Sequence, residues 1–182
     1  MKVLGISGSL RSGSHNSRLL RAAAELLPPR AELVEYDGLK DIPPFDEDDE
    51  AIGHHAVDAL RAAIAEADAV LVATPEYNHS LPGQLKNALD WISRPLTDSP
   101  LRNKPAAVIG ASTGLFGAVW AQAEGRKVLG ALGARVIDRE LPVTQAHDAF
   151  DGDRLADTEL AYALAGLLDE LCGAETAVPV AA

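Results

Sequence analysis

Apolar positions along the chain alternate between two rhythms. Residues 2–7 form a short apolar run closed by Gly8. After a small polar loop, Leu19, Leu20, Ala23, Leu26 and Leu27 fall at helical spacing until Pro28 and Pro29 stop them. The cycle then repeats, with a strand-like run at 31–36, a proline-containing loop at 37–45, and a helical stripe of Ala56, Leu60, Ala63, Ile64 and Ala67. Residues 69–74 are continuously apolar, as a parallel strand covered on both faces requires, and Pro75 ends them. Leu85, Ala88, Leu89 and Ile92 mark a third helix. A fourth strand at 105–111, a helix at about 117–132, a short strand at 134–137 and a last helix at 158–171 follow.

Strand and helix alternate five times with no internal repeat or low-complexity linker. This predicts an α/β protein with a three-layer flavodoxin-like fold, in which a five-stranded parallel sheet of order 2-1-3-4-5 carries helices on both faces. A length of 182 residues suits one core. A single domain is expected over 1–172, followed by a small-residue tail at 173–182 with no periodic pattern, expected to be flexible.

Charge and composition narrow the function classes. A net charge of -11 disfavours a sequence-independent grip on nucleic acid, which needs clustered Lys and Arg. The apolar runs fall short of the ~20 residues of a membrane helix, so no membrane insertion is expected. The lone Cys172 has no partner for an intramolecular disulfide, and no signal-peptide core opens the chain, so a cytoplasmic location is expected. The acidic run at 46–50 reads as a solvated, helix-initiating cluster rather than a metal site, and no metal is expected.

In the predicted topology ligands bind outside the carboxyl ends of the strands, where the strand order reverses. The loops after the first, third and fourth strands are therefore the candidates. The first has the glycine spacing of a triphosphate-binding loop, but Ser14 and His15 stand where Lys and a Mg²⁺-binding hydroxyl are needed. What remains suits one terminal phosphate: Ser9, Ser14, Asn16 and Ser17 offer short donors, Arg11 a planar fork, and a helix starting near Ser14 its free N–H groups. Alternatively, these residues merely cap the helix and turn the chain. The hydrolase elbow and the dinucleotide fingerprint are both missing, which leaves Glu35 and Asp37 as exposed strand-end carboxylates. In the third-strand loop, Tyr77 and Asn78 could frame a flat heteroaromatic ring, or the segment between Pro75 and Pro82 is an ordinary turn. In the fourth-strand loop, the glycines, Gly114 among them, permit close backbone approach, the hydroxyls of Ser112 and Thr113 serve a ligand or cap the next helix, and Phe116 is either a pocket wall or a contact at a helix start.

The stretch Gly8-Ser-Leu-Arg-Ser-Gly-Ser-His-Asn16 and the stretch Thr74-Pro-Glu-Tyr-Asn-His-Ser-Leu-Pro-Gly-Gln-Leu-Lys-Asn-Ala-Leu-Asp-Trp91 together resemble the NADPH-dependent FMN reductase family. The segment 42–48 and the loop beginning at Ser112 extend the resemblance over most of the chain. It implies that Ser9, Arg11, Ser14 and Asn16 hold the phosphate of FMN, and that Pro75, Glu76, Tyr77 and Asn78, with Ser112, Thr113 and Gly114, line its ring. It also implies NADPH or NADH as co-substrate, and a small-molecule electron acceptor such as a quinone, free flavin, an azo compound or a metal oxyanion like chromate. A ping-pong cycle and a homodimer or dimer of dimers with the flavin near the interface belong to the same expectation. Trp91, placed off the inward stripe of its helix, is either a partly exposed core-edge residue or an anchor of that interface, the second being the favoured expectation. The hydride passes to flavin N5, so no side chain is expected to act as an obligatory acid or base; His79 is the one candidate proton donor, its favoured reading being a solvent-facing loop histidine. The alternative function is a non-enzymatic, flavodoxin-like electron carrier, which the same fold would serve.

Overall fold

The computed structural model describes residues 1–95 and 97–173. Of the expected tail, 174–182 lie outside the described residues, and Gly173 ends the last helix. Strands β1 (Lys2–Ser7), β2 (Glu32–Tyr36), β3 (Ala69–Ala73), β4 (Pro105–Ala111) and β5 (Arg135–Val136) pair in parallel in the order β2-β1-β3-β4-β5, as the alternation predicts.

Every residue of β3 is buried, and successive side chains enter opposite cores. Val70 and Val72 pack with Leu4, Ile6 and Val108 under α2 (His55–Glu66), α3 (Gly83–Ile92) and α4 (Val119–Ala131). Ala69, Leu71 and Ala73 pack with Val3, Ala107 and Ile109 under α1 (His15–Leu26) and α5 (Thr158–Gly173). This two-sided burial is why the third strand reads as an unbroken apolar run rather than an alternating one.

The fold departs from the sequence expectation at four places. The fifth sheet position is split: β5 pairs only with Pro105 and Ala106, the chain leaves the sheet at 137–141, and β6 (Pro142–Val143) resumes beside Gly110 and Ala111. The fully buried Gln122 of α4 spans the break, accepting from Leu141 N–H at 2.9 Å and donating to the carbonyls of Leu141 at 3.2 Å and Gly117 at 2.8 Å. Next, a hairpin of β7 (Phe150–Asp151) and β8 (Arg154–Leu155) lies along α1, pinned by Arg154 to Glu25 at 2.6 Å and Arg21 to Asp153 at 3.0 Å. Its strands are too short to show periodicity, and the Asp151-Gly152 turn pair was the only signal.

Trp91 is corrected from interface anchor to core residue. It is 3% exposed, donates its indole N–H to the Pro43 carbonyl at 2.9 Å, and meets Phe45 edge-on at 4.9 Å. The segment 42–45 folds over this side of α3 and widens its buried face beyond the stripe visible in the periodicity. The acidic run also differs from expectation. It forms a 3₁₀ turn (Glu47–Asp49) capped by Asp46, while α2 begins only at His55. Glu47 and Glu50 pair with Arg94 at 3.4 and 3.1 Å.

Candidate functional site

The site is assembled where β1, β3 and β4 end. Gly8 donates its N–H to the Ala73 carbonyl at 2.8 Å. A Cβ there would sit 2.9 Å from Leu85 Cδ2 and 3.3 Å from Pro75 Cδ, so glycine is what lets the first loop close against the third-strand loop. Beyond it Ser14 caps α1, its hydroxyl accepting from the N–H groups of Asn16 at 3.1 Å and Ser17 at 3.2 Å. Among the described residues, the main-chain N–H groups of Ser12, Gly13 and His15 have no acceptor, leaving donors beside the positive end of the α1 dipole.

A cleft of about 140 Å³ opens at this point. Ser9, Arg11, Ser14 and Asn16 line it from the first loop, Pro75, Glu76 and Tyr77 from the third-strand loop, and Ser112 and Thr113 from the fourth. A second cleft of about 280 Å³ shares Arg11 and Tyr77 with it and extends over Gly8, Leu10 and the start of α3 at Gly83 and Gln84. Arg11 lies at the junction, exposed, with one guanidinium N–H on the Gly13 carbonyl at 2.9 Å and the rest of its fork open.

Several expected ligands are differently employed. Asn16, 2% exposed, forms a two-way pair with Ala111, its amide donating to the carbonyl at 3.0 Å and its oxygen accepting the N–H at 2.9 Å. Only its second amide hydrogen remains for a ligand. The Ser17 hydroxyl bonds Ser7 at 3.0 Å and does not line either cleft. Asn78 lines neither cleft. Tyr77 and Ser80 exchange both main-chain hydrogen bonds at 3.1 Å around Asn78 and His79, whose φ values of 54° and 61° make a tight hairpin turn. This lifts the Asn78 side chain into solvent. Gly114 also lies outside the clefts, its carbonyl taken by Gln145 N–H at 3.1 Å.

Glu76 uses its carboxylate at the start of α4, accepting from Trp120 N–H at 3.1 Å and Ala121 N–H at 3.2 Å. Phe116 lines neither cleft and is the contact at a helix start, 61% exposed and edge-on to Trp120 of the first turn of α4 at 5.0 Å. His79 faces solvent, edge-on to Trp120 at 4.7 Å.

Sequence reasoning passed over His15, which lines the 140 Å³ cleft. Its position directly after the capping Ser14 was the available signal. Its imidazole is held below the ordinary histidine pKa, first by burial and then by the charges of Arg11, Arg18 and His147. A larger hollow of about 410 Å³ beside His54, Arg61, Trp91 and Arg94 shares no residue with these clefts. Its arginines are engaged, Arg61 with the carbonyls of Arg94 and Asp98, and Arg94 with Glu47 and Glu50. Among the described residues no His, Cys, Asp and Glu group of three or more could hold a metal ion, and no helix is long and apolar enough to cross a membrane.

The family model described as NADPH-dependent FMN reductase matches residues 1–148. The chain belongs to that family. An NAD(P)H-dependent FMN reductase of Pseudomonas aeruginosa is 48% identical over 160 residues, 86% of this chain and 85% of the relative. A quinone reductase of Escherichia coli is 40% identical over 141 residues, 76% of this chain and 74% of its own length. Among solved structures, the flavoenzyme NAD(P)H:(acceptor) oxidoreductase of Paracoccus denitrificans superposes with a TM-score of 0.85 at 35% identity, covering 96% of both chains. The protein is thus an enzyme of NAD(P)H oxidoreduction with FMN as cofactor and NADPH or NADH as co-substrate, and the electron-carrier alternative falls away.

The first loop fits the phosphate end of FMN. Hydroxyls, a guanidinium fork and unpaired main-chain N–H groups converge at a helix N-terminus, and Gly8 keeps the backbone close where a side chain would fill the space. Tyr77 supplies an aromatic face beside it.

Proposed function

We propose that the chain binds FMN with its phosphate on Ser9, Arg11, Ser14 and the last free hydrogen of Asn16, and its ring between Pro75–Tyr77 and Ser112–Thr113. The observation that carries this reading is the 140 Å³ cleft joining all of these groups at the carboxyl edge of the sheet. When bound, FMN supplies the two-electron chemistry, accepting hydride from NAD(P)H and passing the electrons to an acceptor.

The protein's part is to hold and to expose. Arg11 and Ser9 fix the anionic end, and the stitching of Asn16 to Ala111 sets the distance between the first and fourth loops. The nearest carboxylate, Glu76, is committed to capping α4 and is not available as a base. NAD(P)H and the acceptor take turns at the same open face in a ping-pong cycle. The acceptors are small molecules, quinones first, with free flavin, azo compounds and chromate admitted by the same open face. The setting is cytoplasmic, where the reduced nicotinamide pool is kept.

Leu10 and Tyr77, each 50% exposed, line the clefts, and Leu115 at 73%, Phe116 at 61% and Trp120 at 41% are exposed on the fourth-strand loop and the start of α4. A patch of this kind beside a site supports a homodimer, or a dimer of dimers, that shelters the flavin. Stopped-flow mixing of FMN-loaded protein with NADPH or NADH should bleach the flavin band, and a following quinone should restore it. Slow bleaching with both nucleotides, or no recovery with the quinone, defeats the reading.

A further inference from the structure

His15 opens α1 and forms part of the wall of the phosphate cleft beside Ser9, Arg11 and Ser14. Its ring is parallel to Phe150 within 8°, with centroids 6.4 Å apart, and Arg18 lies over the other ring at 5.6 Å. Phe150 belongs to the hairpin that ion pairs fasten to α1, so its ring is kept beside the imidazole.

The charges around it are one-sided. Arg11 faces it from the first loop, Arg18 from its own helix and His147 from the segment leading to the hairpin. The positive end of the α1 dipole adds to them. The carboxylates nearby are engaged: Glu76 caps α4, Asp153 pairs with Arg21 at 3.0 Å and Arg18 at 3.9 Å, and Asp148 pairs with His147 at 3.1 Å. An imidazole in this setting is neutral at neutral pH until a strong anion arrives. A phosphomonoester is that anion, bringing close to two negative charges.

The geometry points to His15 as a further ligand of the FMN phosphate, neutral in the free protein and taking up a proton from solvent as the phosphate dianion seats. The inference rests on the assignment of the first loop to phosphate. No bond of FMN is made or broken, and the proton comes from buffer and stays on the imidazole while the dianion is bound. Such a ligand rewards a terminal monoester over riboflavin, which has no phosphate, and over a phosphodiester, which carries one charge. His15 thereby becomes a determinant of cofactor choice.

The test is titration calorimetry of the flavin-free full chain with FMN, near neutral pH, in two buffers of different ionisation enthalpy. The wild-type protein should take up a sizeable fraction of one proton. Free FMN is mostly dianionic there, and completing the ionisation of its phosphate in a cationic loop releases a proton, which has the opposite sign. His15→Gln, which keeps a hydrogen-bond donor but cannot titrate, should lose that uptake and bind FMN about tenfold more weakly, the scale of one charge-assisted hydrogen bond, with riboflavin affinity unchanged. His147→Gln should keep the uptake. Absence of uptake in the wild type, uptake surviving His15→Gln, or uptake lost only in His147→Gln overturns the proposal. Arg11→Ala separates the two levels: if it weakens FMN while the His15 results fail, only His15 leaves the site, and if it leaves FMN affinity unchanged, the phosphate assignment fails with it.

Discussion

Replacing Asn16 by alanine tests whether the residue is the strut between the first and fourth loops. β3 ends at Ala73, and its last pairing with β4 is at Ile109, so Ala111 lies past the end of the β3–β4 ladder. Asn16 supplies both of its missing partners, at 2.9 and 3.0 Å, from a position 2% exposed. Alanine leaves one buried N–H and one buried C=O unmatched, each costing about 1–3 kcal/mol. The adjoining cleft admits water that recovers part of this, so the expected loss is about 2–3 kcal/mol. With a urea m-value of about 2 kcal/mol/M, the midpoint should fall by about 1 M. Measuring this on flavin-free protein separates the strut from any role toward the cofactor. Asn16→Asp should do no better, since it keeps the acceptor for Ala111 N–H but sets a buried carboxylate against the Ala111 carbonyl. A loss below about 0.5 kcal/mol for alanine, within the range of ordinary surface substitutions, would refute the assignment.

Arg11→Ala should weaken FMN binding by about 1.5–3 kcal/mol in a fluorescence titration, and an unchanged Kd removes Arg11 from the site. Gln122→Leu leaves the Leu141 N–H and the Gly117 carbonyl unsatisfied, so denaturant melts should show a loss of about 2–4 kcal/mol, and a neutral result contradicts its bridging role. Trp91→Phe should cost about 1–2 kcal/mol and leave the sedimentation behaviour unchanged, whereas dissociation of an oligomer would return Trp91 to the interface. In flavin-free protein the folded-state pKa of His15 lies below its ordinary 6.5, so the unfolded chain takes the proton more readily. Its contribution is therefore full above 6.5 and declines as pH falls below it, and His15→Gln should flatten that part of the stability profile.

The order of elements and the location of the site were legible in the chain because both follow from local pattern. A strand buried on both faces must be apolar throughout, as 69–73 is, and a helix that opens on a serine and small residues declares its cap, as Ser14 does. The two long motifs also carried the family and, with it, the cofactor. What each polar side chain does was decided by distance in space. Asn16 is drawn away by a carbonyl and an N–H that lie 95 residues along the chain. Asn78 is lifted out by a turn whose two partners bond each other, and Trp91 is covered by a segment 48 residues before it. His15 acquires its surroundings in part from a hairpin invisible to periodicity, which brings Phe150 alongside, and from burial and His147, with Arg11 and Arg18 close by in the chain. The sequence alone therefore determined the scaffold and which loops meet at the cleft, through burial pattern and helix capping. Tertiary structure alone decided which donors remain free to meet an anion there, because a hydrogen-bonding group in the fold is spent on whichever partner lies closest.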